Sequence, residues 1–172
     1  IDAHGSALVR GGSFDTNLGG PGIDLAPRGV TRNEVRKTAN RGIPFPTKLE
    51  IDPDRFRLQG LAVPNATVGV WIVERGGRDG NPDNGEGSIH LGSATADAQG
   101  RFEFPATGEL DCVEADLITT TASLDADGVT SEFSANVVCP PRPDWFRVES
   151  GTTQDLTAVW VRANDDAWAV GA

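Results

Sequence analysis

The chain has 172 residues, 38% of them hydrophobic, and carries 25 acidic against 15 basic side chains for a formal net charge of −10. That balance repels a phosphate backbone and argues against nucleic acid as a partner. No run of about 18 apolar residues is present, so no segment reads as a membrane-spanning helix. The sequence starts at Ile1, has no methionine and shows no signal peptide, which leads us to expect a processed product or a segment of a longer chain.

Twenty-one glycines and eleven prolines interrupt the sequence too often for a three-turn amphipathic helix, so a mostly β chain is predicted. Residues 1–47 are the least regular, with Gly-Gly at 11–12 and 19–20 and prolines at 21, 27, 44 and 46. They read as an extended layer of short strands and loops that could hardly fold alone. In RFRLQGLAV (55–63), Phe56 and Leu58 alternate with polar residues as a half-buried strand requires. TVGVWIVER (67–75) is apolar on both faces and reads as a central strand. After the polar stretch RDGNPDNGEG (78–87) come the strand SIHLGSATA, the turn DAQG and RFEF, with Phe102 and Phe104 inward. LITTTASL (117–124), the turn DADG and VTSEFSANVV (129–138) read as a hairpin of two full strands. Together residues 48–140 predict a β-sandwich. The prolines at 140, 141 and 143 then mark a spacer, and DLTAVWVRA, NDD and AWAVGA form a predicted C-terminal hairpin, so that 141–172 is a separate unit.

The two cysteines, Cys112 and Cys139, flank the predicted 117–138 hairpin near its open end. They read as one disulfide, with two buried thiols as the alternative. RDGNPDNGEG sets oxygens at Asp79, Asn81, Asp83 and Glu86, close to the spacing of calcium loops. Counted from Asp79, however, the sixth position is Asn84 and the twelfth His90, where an EF-hand needs Gly and Glu. A solvated turn is the main reading and a calcium site through those four residues the weaker one; no other cofactor is indicated. His4 and His90 have no base or nucleophile set by spacing, and Asp125/Asp127 and Asp165/Asp166 read as turn formers. No catalytic residue is specified. Of the tryptophans at 71, 145, 160 and 168, core or interface packing is expected, with Trp145, Trp160 and Trp168 as interface candidates and a sugar-stacking face as the alternative.

Three motif sets carry resemblances. DTNLGGPGIDLAPRGVTRNE (15–34) resembles the "GxGIDLGxDGVTxND" segment that closes right-handed parallel β-helices in large secreted bacterial proteins, matching at Asn17, Leu18, Gly22, Ile23, Asp24, Leu25, Gly29, Val30, Thr31 and Asn33. Gly85-Glu86-Gly87, Leu91-Gly92-Ser93 and Gly128 to Ser134 resemble the "GEGxxFLGS" and "GNTSEFS" segments of the Ig-like or transthyretin-like β-sandwich that follows in that family. LTAVWVRANDDAWAVGA (156–172) resembles the "LxxVWGxSxxDVWAVG" repeat of secreted myxobacterial propeller-like proteins. One repeat cannot close a propeller, so this resemblance implies a longer parent or another use for the hairpin. Where the first family carries an acidic loop, this chain has Arg36, Lys37 and Arg41, which disfavours calcium there.

The expected architecture is therefore all-β: an Ig-like β-sandwich with an irregular β-helix-like N-terminal segment and a C-terminal β-hairpin. The expected function is non-enzymatic, as an extracellular structural or adhesive module that joins neighbouring subunits or domains of a secreted assembly, such as a filament. The alternative is a carbohydrate- or surface-binding domain accessory to a large secreted enzyme or adhesin.

Overall fold

A computed structural model describes residues 6–14, 21–25, 29–33, 39–73, 84, 86–105, 107–108, 110–113, 116–141, 153–163 and 166–171. The fold is all-β and antiparallel. Among the described residues there is no α-helix, only short 3-10 turns at Ala39–Gly42 and Asp125–Asp127, and no helix is long and apolar enough to cross a membrane.

Among the described residues, ten strands fall in three sheets. Strands β1 (Thr47–Asp52), β2 (Arg57–Leu61) and β5 (Arg101–Phe104) form one, in the order β1-β2-β5. Strands β3 (Thr67–Val73), β4 (Ile89–Thr95), β6 (Leu117–Leu124) and β7 (Val129–Thr130) form a second in the order β4-β3-β6-β7, with β8 (Val137–Val138) also paired to β6. Strands β9 (Leu156–Ala163) and β10 (Asp166–Gly171) pair with each other as a two-stranded ribbon.

The first two sheets share one apolar cluster. Ile51, Leu58 and Phe102 from the smaller sheet meet Val68, Val70 and Ile118 from the larger, and the disulfide cysteines join them. Strand β3 is central because both faces must be buried: Val68 and Val70 face this cluster, while Trp71 belongs to another on the opposite side. Turn chemistry closes the strands. Asp97 Oδ1 accepts from the amides of Gln99 and Arg101, and Asp52 Oδ1 accepts from those of Asp54 and Arg55, so each aspartate shapes its own turn.

The return strand expected over 129–138 is broken in two. Between the Ser123–Thr130 and Ile118–Val137 pairs, the returning chain carries two more residues than β6. The reason is local: Ser131 Oγ accepts from Ala122 N at 2.9 Å and Ser134 Oγ accepts from Thr120 N at 2.9 Å, so hydroxyls take the amides that a continuous ladder would satisfy with carbonyls. This bulging turns Glu132 and Phe133 into buried positions on the outer face of the sheet.

Cys112 and Cys139 form a disulfide with Cα atoms 6.3 Å apart, bridging the two ends of the 116–139 excursion. Closing a separation of 27 residues stabilises the fold by about 3.5 kcal/mol on the chain-entropy argument.

Candidate functional site

The outer face of the larger sheet is covered by the N-terminal segment. Val9, Ile23, Leu25 and Ala39 pack with Trp71 and Phe133, and Phe14 leans on the same cluster. The rings of Phe14 and Trp71 both meet Phe133 edge-on, with centroids 5.4 Å apart in each pair. Glycine makes the approach possible: a Cβ on Gly69 would run into the six-membered end of the Trp71 indole and one on Gly87 into its other end, so main chain comes close to both ends of the side chain.

Polar contacts fix the segment's position, and most recognise main chain. The Glu132 side chain, 0% exposed, accepts from Leu25 N at 3.0 Å and from Thr31 N at 2.8 Å. Val9 N donates to Thr130 Oγ1 at 2.7 Å, while Val9 O accepts from Ser123 Oγ at 3.3 Å. Asn40 is held in the left-handed region at φ 45° and uses its whole amide: Oδ1 accepts from Ala7 N at 2.7 Å, and Nδ2 donates to Thr130 O at 2.6 Å and to Ala7 O at 3.2 Å. Phe14 N reaches Gly87 O at 2.7 Å, and Trp71 Nε1 donates to Gly12 O at 3.3 Å. At the rim, Arg10 pairs with Asp125 and Arg41 with Asp127, the two acids of the second 3-10 turn. Those rim pairs are exposed and contribute little, whereas the buried carboxylate and amide contribute most because their loss would strand main-chain donors out of reach of water.

The motifs singled out in the sequence meet here. Asp24 Oδ2 accepts from Gly29 N at 2.9 Å, and Asn33 exchanges two hydrogen bonds with Phe45, so these residues shape the segment, while Glu132 and Thr130 receive it. Asn84 Nδ2 donates to Phe133 O at 3.2 Å. Glu86 is buried beside Gly87. The other weak calcium candidates, Asp79, Asn81 and Asp83, lie outside the described residues, as do Trp145, His4, Arg36 and Lys37. Among the described residues no three His, Cys, Asp or Glu side chains gather closely enough to hold a metal. His90 sits on β4 with its ring 4.8 Å from Trp71. Trp71 is buried and cannot offer a stacking face.

The exposed candidates are on the ribbon. Trp160 and Trp168 are directly paired across β9 and β10 and are 62% and 64% exposed; Val170 shares their face and Val159 lies on the other. These four are half of the eight large apolar side chains exposed among the described residues.

No family model and no curated protein matches the chain. The functional reading rests on the geometry.

The roles of Glu132, Thr130 and Asn40 were not assigned from sequence. The one available signal was polar residues, T-S-E and S, set among apolar ones where a regular strand was expected.

Proposed function

We propose that the chain is a non-enzymatic structural module of a secreted assembly, in which an Ig-like sandwich holds a β-helix-like segment on one face and the C-terminal ribbon engages a neighbouring subunit or domain. The observation that carries this reading is the Trp160–Trp168 pair. The two residues, 62% and 64% exposed, together leave roughly 300 Å² open to water, about the size of the largest apolar patch on an ordinary monomer, which is often a functional one. A two-stranded ribbon is marginal in water, and apolar residues on both faces favour covering it from outside. The buried junction favours a structural rather than a chemical role, because its Glu132 carboxylate and Asn40 amide are taken up by main chain. The disulfide fits an extracellular setting.

The second reading, a glycan-binding accessory domain, is favoured by the same two rings, which present the flat surface that sugars stack on. Deleting residues 144–172 separates the two. The joining role predicts loss of self-association with the remaining fold's melting preserved; a parent chain that stays monomeric and loses only sugar binding on deletion would replace it with the second reading.

A further inference from the structure

The face that receives the described residues of the 7–45 segment takes hold of them mainly through main-chain atoms, at Val9, Leu25 and Thr31, together with one apolar cluster. A second copy of the same segment would make the same contacts, so the closed and exchanged arrangements differ only in the connection to the body. That connection is strained. Lys48 has φ 53°, in the left-handed region that a residue with a Cβ avoids, and it lies at the register irregularity between Thr47 and Glu50 of β1. Pro44 and Pro46 stiffen the chain just before it. Straightening Lys48 into the β region relieves the strain and carries the segment away from its own body. We propose that residues 7–46 exchange between two copies of this chain, with Lys48 as the hinge, so that each copy's segment covers the other's β3–β6 face. Short hinges under strain favour such exchange. The C-terminal ribbon takes no part in it, so the inference stands apart from the joining role.

The test is to refold the full chain at high concentration and separate it by size, with Lys48→Gly and Lys48→Val beside the parent. Glycine accepts the closed hinge without penalty and lowers the dimer fraction; β-branched valine opposes it and raises the fraction. Relieving one left-handed residue is worth roughly tenfold, and a dimer has two hinges, so Lys48→Gly weakens dimerisation by roughly a hundredfold. In an Arg10→Lys background, a carbodiimide couples the introduced amine to Asp125. Dimers formed from heavy-isotope and unlabelled protein mixed before refolding should then show cross-links between isotopes, and monomers only within one. Absence of any dimer in the parent and in every variant that folds, equal dimer fractions in parent and Lys48→Gly, or a dimer cross-linked only within isotopes would each overturn the exchange. The glycine variant fits both states, so the test survives misfolding of the valine variant.

Discussion

Replacing Glu132 by alanine removes the acceptor for two buried amides at once. Leu25 N and Thr31 N, at 3.0 and 2.8 Å from the carboxylate, lose that acceptor, and Glu132 is 0% exposed, so water does not take its place without opening the junction. An unsatisfied buried amide costs about 1–3 kcal/mol. Two of them, partly relaxed by local opening, put the expected loss for Glu132→Ala at about 3–4 kcal/mol. Glu132→Gln keeps one acceptor and turns a donor toward the other amide, for an expected loss of about 2 kcal/mol. Urea unfolding of the full chain reads both numbers, and hydrogen exchange at Leu25 and Thr31 reports whether the loss is local. A Glu132→Ala chain within about 0.5 kcal/mol of the parent, with both amides still protected, would refute the assignment of Glu132 as the anchor of the N-terminal segment.

Three further outcomes are expected. Free-thiol labelling of the unreduced, denatured protein should find no reactive cysteine, and replacing both Cys112 and Cys139 by alanine should lower stability by about 3.5 kcal/mol. Gly87→Ala should cost about 1–3 kcal/mol and release the Trp71 fluorescence from its buried environment, because the added methyl displaces the indole. Chelation with EDTA should leave the melting temperature unchanged, as a turn at 78–87 requires; a large fall that calcium alone restores would make Asp79, Asn81, Asp83 and Glu86 ligands.

Much of the sheet body was legible because local pattern and burial agree. TVGVWIV is apolar on both faces and is the central β3, and alternation placed Leu58 and Phe102 inward. The two cysteines flanking a predicted hairpin were enough to pair them. What was not legible is non-local. VTSEFSANVV has the composition of one strand, but the Ser131 and Ser134 hydroxyls accept from β6 amides in place of its carbonyls, and this becomes visible only once β6 lies beside them. Glu132 has the look of a solvent-facing strand residue, since its partners are amides about a hundred positions earlier in the chain. The same holds for Asn40, which spans from Ala7 to Thr130. Side chains that bind main chain leave no complementary residue type to search for.

The most direct test of the joining role is sedimentation velocity of the full chain beside a Trp160→Ser/Trp168→Ser variant across a concentration series. With each protein taken from its one-chain size fraction, so that exchanged dimers are left out, the account predicts that the parent's average mass rises with concentration and that the variant stays at the mass of one chain with an unchanged melting temperature. A parent that remains monomeric throughout, or a variant that associates as strongly as the parent, would contradict it.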